Sequence, residues 1–336
     1  MAAVDPVGGR SVAGLKEIVA LVEDDLVRVE ELFEEQVKSD VRLLAEIGGY
    51  VREGGGKRVR PALLLLACRL AGYRGDRAIL LASVVEFIHT ATLLHDDIID
   101  EATVRRGRRS VNSRWGNDVT VLLGDFLYTK SMSMALSQDN LKILRLLSDV
   151  TLRMIEGEIL EIERNGKLEV TEDEHVDLMR RKTADLFAAC TRIGAILADA
   201  GEDKERALAS YGLNLGICFQ MVDDLLDFTA DEKTLGKPVA NDLREGKLTL
   251  PMIFLLRKTG AAGASKVRAV LEDRGFERVS REEIVRLARE HGALDEARIL
   301  AERYAGAARR DLQAFDRSAY REALEVLPDF ILARDH

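Results

Sequence analysis

The chain has 336 residues, of which 47% are hydrophobic, 32% are charged and only five are proline. Its formal net charge of −9 and the lack of a basic stripe argue against a nucleic-acid-binding protein, although an acidic protein can still bind phosphates locally. The three cysteines (Cys68, Cys190 and Cys218) lie far apart in apolar segments, which is typical of buried free thiols in a reducing compartment.

Apolar residues recur at helical spacing along almost the whole chain, and no convincing alternation with a period of two residues is present. The segment from Thr171 to Glu174 has the pattern of a capping box. No linker rich in Ser, Gly or Pro divides the chain, so we predict one all-α domain over residues 1–336. The predicted helices are, in chain order, 15–37, a helix from about Pro61 to Gly72, 78–101, 118–136, 140–164, 172–199, 204–229, 251–258, 263–273, 280–290, 293–316 and 318–333.

No apolar run reaches the ~18 residues that a membrane span needs. The first residues also lack the basic start and apolar stretch of a secretory signal. We therefore expect a cytoplasmic protein without an integral membrane segment, in which any membrane contact is transient.

Two aspartate clusters with the same spacing follow apolar stretches: Asp96, Asp97 and Asp100, then Asp223, Asp224 and Asp227. On a helix, each cluster spans an arc of about 100°. Two carboxylates ~6 Å apart repel by roughly 2–3 kcal/mol at an effective dielectric constant of about 20. A solvated helix end tolerates one such cluster, but two clusters on apolar helices indicate bound cations. Oxygen-only ligands favour Mg²⁺ that bridges to substrate phosphates.

Basic segments flank both clusters, in "GGGKRVRP" (54–61), "VRRGRRS" (104–110), "RRKTADLF" (180–187) and "TLGKPVANDLREGKLTLP" (234–251). Each alone is commonly a solvated surface patch. A flexible glycine backbone beside basic side chains, however, also forms a good phosphate cradle. Together with the acidic clusters, these segments predict a site for a polyanion.

Seven ordered motifs between Gly54 and Pro251 resemble those of the trans-polyprenyl diphosphate synthases, in particular the long-chain branch that makes octaprenyl diphosphate. They are "GGGKRVRP", "HTATLLHDDIIDEATVRRG", "LLGDFLY", "EGEILEIE", "KTADLF", "FQMVDDLLDF" and "LGKPVANDLREGKLTLP". The resemblance implies a helical bundle of the isoprenoid synthase type with a central cavity, and a homodimer. One departure is Ala240, where the family often has glycine.

The resemblance also implies the roles of individual residues. The two clusters bind about three Mg²⁺ ions, for which Mn²⁺ can substitute, and Lys182 joins them as a catalytic residue. Isopentenyl diphosphate contacts Lys57, Arg60, His89 and Arg106. The allylic diphosphate, farnesyl or geranylgeranyl, contacts Arg105, Lys182, Thr183, Gln220, Lys237 and Lys247. No side chain of these motifs is an obvious general base.

The length of the product is expected to depend on the residues just before the first cluster. Short-chain members of the family have bulky aromatic residues there, whereas this chain has Ala91 and Thr92. Each added unit buries four or five carbons, worth roughly 3–4 kcal/mol, so elongation continues until the cavity ends. We expect a product of about 35–50 carbons, with octaprenyl diphosphate, a precursor of quinone side chains, as the best single value.

Three alternatives remain open. A farnesyl or geranylgeranyl diphosphate synthase shares the same motifs. A class I terpene cyclase has one DDxxD motif, but its second metal motif differs and it lacks the "GGKRVRP" segment. A non-catalytic partner subunit usually loses one aspartate cluster, whereas both are complete here.

Overall fold

The structure, a computed structural model, describes residues 15–56, 58–229 and 239–335. Its helices are α1 Leu15–Ala20, α2 Glu23–Val37, α3 Arg42–Glu53, α4 Val59–Ala71, α5 Arg77–Ile99, α6 Val111–Trp115, α7 Asn117–Leu136, α8 Leu141–Arg164, α9 Glu172–Met179, α10 Asp185–Leu197, α11 Glu202–Thr229, α12 Asn241–Arg244, α13 Leu250–Thr259, α14 Ala261–Asp273, α15 Arg281–Glu290, α16 Ala293–Asp311 and α17 Ala319–Leu332. A π-helical turn, Arg180–Ala184, joins α9 to α10, and 3₁₀ turns follow α16 and α17 at Leu312–Ala314 and Ala333–Asp335. The predicted all-α class is confirmed.

The centre of the molecule is built from helices that are buried over most of their length. In α4, the run from Leu63 to Cys68 is completely or almost completely buried. Helix α5 packs on α7, α4 and α2, while α11 packs on α10, α16 and α17. Since an apolar helix needs neighbours on every face, α4, α5, α10 and the part of α11 after its charged first turns lie inside, and the amphipathic helices surround them.

Helix α5 is also the one helix in the described part of the chain that is long and apolar enough to cross a membrane. About two thirds of its apolar window (67%) is buried among the other helices. Core helices of this length commonly satisfy the same criterion, so the finding is weak support for a membrane span.

Several predicted boundaries were wrong because packing overrides helix propensity. The predicted helix 15–37 is interrupted by a turn at residues 21 and 22, where Val22 is buried. The predicted helix 172–199 contains the π-helical turn, and α3, α6 and α12 were not predicted as helices. The capping box was predicted correctly: the Thr171 hydroxyl accepts from the Glu174 N–H, and the Glu174 carboxylate accepts from the Thr171 N–H.

A small hairpin follows α5 and was also not predicted. Strand β1 Val104–Arg105 pairs antiparallel with β2 Arg108–Arg109, with Val104 opposite Arg109. The connection consists of Arg106 and Gly107, with φ values of 52° and 75°. Positive φ at both positions is the requirement of a type I′ turn, which matches the twist of the flanking strands. The strands are too short to show periodicity in the sequence.

Candidate active site

The first aspartate cluster is divided by the helix on which it lies. Asp96 and Asp100 face α8 and the segment before α13, whereas Asp97 is 2% exposed and faces the hairpin. The Arg105 Nε donates to the Asp97 carboxylate at 2.6 Å. Asp97 lines a cavity of about 80 Å³ together with Arg105 and Arg106. The cluster therefore presents two carboxylates to one side and uses the third to hold an arginine.

Two lysines join the first cluster to acidic residues of α8. Lys182 Nζ lies 2.9 Å from Glu158 and 2.6 Å from Glu161. Lys247 Nζ lies 3.2 Å from Asp100 and 3.6 Å from Glu161. The sequence motif "EGEILEIE" contained both glutamates, but sequence reasoning assigned them no role.

The pKa values record an excess of negative charge at this point. Burial, followed by the nearby Glu158 carboxylate, raises the pKa of Asp96 to about 7. Burial also opposes ionisation of Glu161, yet Lys182 and Lys247 outweigh it and lower the pKa of that carboxyl. Asp96 therefore binds a proton at neutral pH more readily than an ordinary aspartate, because no cation compensates it fully.

Two glycines allow the backbones to meet at Lys182. A Cβ on Gly157 of α8 would lie 3.0 Å from the side chains of Arg181 and Lys182, and a Cβ on Gly216 of α11 would lie 2.6 Å from Ala184. The π-helical turn that contains Lys182 and Thr183 is thus held between α8 and α11. Such π turns are frequent at functional sites.

The second cluster is fixed by hydrogen bonds from several elements. The buried Asp224 accepts from His175 Nε2 at 2.8 Å and from Gln220 Nε2 at 3.2 Å. The Thr183 hydroxyl donates to the Gln220 amide oxygen at 3.0 Å, so both predicted allylic contacts belong to the same chain of bonds. Sequence reasoning did not identify His175, because nothing in the sequence relates it to α11.

The other two carboxylates of this cluster contact different segments. Asp227 accepts from the backbone N–H of Asp242 at 3.1 Å, and its carbonyl accepts from the N–H of Ala240 at 2.6 Å. Ala240 is buried at φ 55°, a left-handed conformation that costs an L-residue roughly 1–2 kcal/mol, which explains why glycine suits this position. Asp223 lies 3.1 Å from Arg334 near the carboxyl terminus, in a region where the sequence shows no motif.

A cavity of about 200 Å³ lies between the second cluster and the two lysines. Its lining includes Glu161, His175, Lys182, Gln220, Asp224, Asp242 and Lys247. Lys247 also reaches Asp100, so the cavity borders both clusters. The predicted residues Asp96, Asp100, Lys182, Thr183, Gln220, Asp224 and Lys247 are thus brought together.

The remaining predicted contacts form a second group on α4, α5 and the hairpin. Arg60 Nη1 donates to His89 Nε2 at 2.9 Å, and because arginine has no acceptor, Nδ1 carries the imidazole proton. Burial, then Arg60 and Arg106, lower the pKa of His89, so the ring is neutral at physiological pH. Arg106 lies directly against Gly56, where a Cβ would be 2.7 Å from its Nη1. Lys57 and Lys237 lie outside the described residues.

Ala91 and Thr92 differ in their surroundings. Ala91 is 2% exposed and packs in the core, in agreement with its position away from the carboxylate side of α5. Thr92 is half-buried, and its hydroxyl donates to the His89 carbonyl at 2.9 Å. Thr92 lies one turn before Asp96, and Ala91 does not share its face.

The donor set suits Mg²⁺ because it consists of carboxylate oxygens. Within residues 15–56, 58–229 and 239–335, no three His, Cys, Asp or Glu side chains converge closely enough to bind an ion by themselves. Mg²⁺ is commonly bound by one or two carboxylates together with water and substrate phosphates. Asp96 and Asp100 on one side and the second cluster on the other fit that mode of binding.

Replacing Asp96 tests the charge excess in the metal-free protein. The folded state binds the Asp96 proton more tightly than the unfolded state, so the native carboxyl destabilises the fold increasingly from about pH 4 to about pH 7. In urea denaturation at pH 8, we expect Asp96→Asn to raise the free energy of unfolding by roughly 1–2 kcal/mol relative to wild type. This gain should shrink towards pH 5. Asp149→Asn, on an exposed site of α8, is the control. A gain that is independent of pH would contradict the interpretation.

Known proteins resemble this chain over most of its length. The family model described as "Polyprenyl synthetase" matches residues 41–287. The octaprenyl diphosphate synthase of Escherichia coli (strain K12) is 39% identical over 321 residues, covering 96% of this chain and 99% of that protein. Two solved structures, each 36% identical, superpose on most of the chain: a decaprenyl diphosphate synthase from Rhodobacter capsulatus (TM-score 0.91, covering 96% of this chain and 99% of that one) and a polyprenyl synthase from Caulobacter crescentus, solved with calcium and isoprenyl diphosphate (TM-score 0.90, covering 98% and 100%).

The expected family, fold and class of enzyme, a trans-prenyltransferase, are thereby confirmed. The chain belongs to the polyprenyl synthetase family.

Proposed function

We propose that this protein is a cytoplasmic, single-domain, long-chain trans-polyprenyl diphosphate synthase, in which isopentenyl diphosphate is added repeatedly to farnesyl or geranylgeranyl diphosphate. The observation that carries this proposal is the arrangement of Lys182 and Lys247 among the carboxylates of α5 and α8, beside Asp224 of α11. Fixed cations and an excess of carboxylates around one cavity suit a diphosphate that arrives with divalent ions.

The site binds about three Mg²⁺ ions, for which Mn²⁺ can substitute. Asp96 and Asp100 would hold it on one side, and Asp223, Asp224 and Asp227 on the other. When bound, Mg²⁺ neutralises charge on the diphosphate and so makes it a better leaving group. Asp97 belongs to the same motif, and its hydrogen bond to Arg105 fits a role in orienting that guanidinium.

The two diphosphates bind to different groups of basic residues. Arg60, the neutral His89 and Arg106, with Lys57, contact isopentenyl diphosphate. The allylic diphosphate contacts residues around the 200 Å³ cavity, namely Lys182, Thr183, Gln220 and Lys247, together with Arg105 and Lys237. The Thr183–Gln220–Asp224 hydrogen bonds couple these allylic contacts to the second cluster.

The reaction requires stabilisation of charge more than transfer of protons by the protein. As the allylic C–O bond breaks, negative charge grows on the departing diphosphate, and the ammonium groups of Lys182 and Lys247 stabilise it. The double bond of isopentenyl diphosphate supplies electrons for the new C–C bond. The condensed product then loses a proton to the departing diphosphate, since none of the side chains in these motifs is an obvious general base.

The product is an all-trans chain of about 35–50 carbons, with octaprenyl diphosphate for quinone side chains as the best single value. Thr92, one turn before Asp96, is half-buried and small, which supports an open path for the growing chain. A shorter-chain synthase remains the second candidate, because its motifs are the same.

The working form is a homodimer. The side chains of Leu152, Ile155, Ile159 and Ile162 are 52–60% exposed and follow one face of α8 at spacings of three, four and three residues. Leu122 and Leu136 of the neighbouring α7 are exposed by 66% and 58%. An apolar face of this size on a soluble chain suits a second copy of the same helices.

The proposed activity is tested by incubating the protein with Mg²⁺, farnesyl diphosphate and labelled isopentenyl diphosphate. The masses of the products are then determined by mass spectrometry. We expect a ladder that ends at one long chain, and a turnover at least about a hundredfold lower for Asp223→Ala. Asp203→Asn, an exposed change at the start of the same helix, is the control. Products that stop at fifteen or twenty carbons would favour the shorter-chain synthase, and cyclised products the cyclase. A folded protein that incorporates nothing would contradict the proposal.

Thr92→Phe tests the position that limits chain length. A ring at this half-buried site one turn before Asp96 should shorten the product by one or more five-carbon units, whereas the isosteric Thr92→Val should not. Ala91→Phe, at the other small residue before the cluster, places the ring in a packed core and should mainly cost stability. An unchanged product of Thr92→Phe would show that the end of the cavity lies elsewhere.

The dimer is tested by charging the apolar face of α8. We expect Ile155→Glu with Ile159→Glu to sediment as a monomer while wild type sediments as a dimer, because burial of two carboxylates opposes association. Ile299→Glu, at a 49% exposed isoleucine of α16, should leave the dimer intact. A monomeric wild-type protein would contradict the prediction.

A further inference from the structure

Arg58 lies in the phosphate-cradle segment, and its guanidinium is bound by carboxylates of two other helices. Nε and Nη2 donate to the two oxygens of Glu30 on α2, the latter at 3.0 Å, and Nη1 donates to Glu86 on α5. The side chain is 15% exposed and stacks over the Phe33 ring at 5.6 Å. Each of the three guanidinium nitrogens thus has a carboxylate partner, and both Arg58 and Glu86 line the 80 Å³ cavity beside Arg105 and Arg106.

The backbone of Arg58 is strained. Its φ and ψ are 45° and 37°, the left-handed region that L-residues avoid, and α4 begins at the next residue. Strain of this kind persists only when the surroundings over-determine it. Glu30 and Glu86 provide that constraint, and they thereby fix the conformation at which helix α4 begins.

Glu86 occupies a central position among the cations of this region. It is 5% exposed and lies three residues before His89, almost one helical turn away on the same helix. Burial lowers the pKa of Arg106, and Glu86 is the group that opposes this shift, while Arg105 and Arg58 reinforce it. Glu86 also opposes the burial-driven decrease in the pKa of Arg60. The Glu86 carboxylate thus binds the Arg58 guanidinium directly, and its charge favours the ionised forms of Arg60 and Arg106.

We infer that Glu86 is a positioning residue of the isopentenyl diphosphate site: its carboxylate, with that of Glu30, clamps Arg58 and so holds the glycine-rich turn, Arg60 and Arg106 in place for the diphosphate. This inference rests on the proposed function, since it concerns one of the two substrates. It predicts selectivity, because Arg58 and Glu86 line the 80 Å³ cavity together with Arg105 and Arg106, whereas no residue of the clamp lines the 200 Å³ cavity.

The experiment compares Glu86→Gln with wild type in the full-length protein. The amide keeps the shape and an acceptor for Arg58 but removes the charge. We expect the KM for isopentenyl diphosphate to rise by about tenfold or more, with the KM for farnesyl diphosphate within about twofold. Calorimetric titration with isopentenyl diphosphate alone should show the same loss of affinity without catalysis.

Asp25→Asn is the matched control. Asp25 lies on α2, as Glu30 does, and pairs with Arg69 at the far end of α4. It should lower thermal stability without changing either KM. Equal increases in both KM values for Glu86→Gln, or a profile like that of Asp25→Asn, would overturn the inference. Should Glu86→Gln fail to fold, Glu30→Gln, at a side chain 38% exposed, tests the same clamp. An inactive wild-type chain would overturn the proposed function itself, whereas an active one with unchanged affinity in Glu86→Gln overturns only the clamp.

Discussion

Repulsion among buried carboxylates is the constraint on which the arrangement of this site depends. Asp96, Asp100, Glu158 and Glu161 lie around two lysines, more acidic groups than the lysines neutralise. The raised pKa of Asp96 is the direct consequence, because a buried carboxyl without sufficient counter-charge retains its proton. A protein that keeps such a cluster loses stability in its metal-free form. The loss is understandable if the missing positive charge is supplied by ions that arrive with the substrate.

The surrounding fold maintains this cluster through close backbone contacts. Gly157 and Gly216 let α8 and α11 approach the π-helical turn from two sides, so Lys182 has little freedom to follow a different partner. A side chain at either glycine would separate the helices that hold the acidic groups from the turn that holds the lysine. Electrostatic preorganisation therefore depends here on residues that carry no charge.

Much of this site was predictable from the sequence, and the residues that were missed show why the rest was not. The aspartate clusters and the Thr171 capping box depend on spacings of three or four residues, which a helix converts directly into proximity. Asp97 could not be separated from Asp96 in that way, since it is the position of Arg105 on a short hairpin that turns it to the other side. Glu158, Glu161, His175 and Arg334 reach the site from other elements, and their partners are set by the packing of whole helices. Local periodicity carries no information about such contacts.

Several residues other than glycine have left-handed backbone conformations, and two of them, Arg58 and Ala240, directly precede helices that lead into the two halves of the site. Each is restrained by an acidic residue: Arg58 by the carboxylates of Glu30 and Glu86, and Ala240 by the backbone carbonyl of Asp227. The two restraints differ in kind. The hydrogen bond at Ala240 comes from the backbone and survives any change of side chain, so glycine and alanine are both acceptable there. The restraint on the Arg58 side chain comes mainly from two carboxylates, of which Glu86 is buried, and removal of one charge leaves the others uncompensated. The geometry of the cradle segment before α4 is therefore more sensitive to mutation of side chains on other helices than the geometry at Ala240 is.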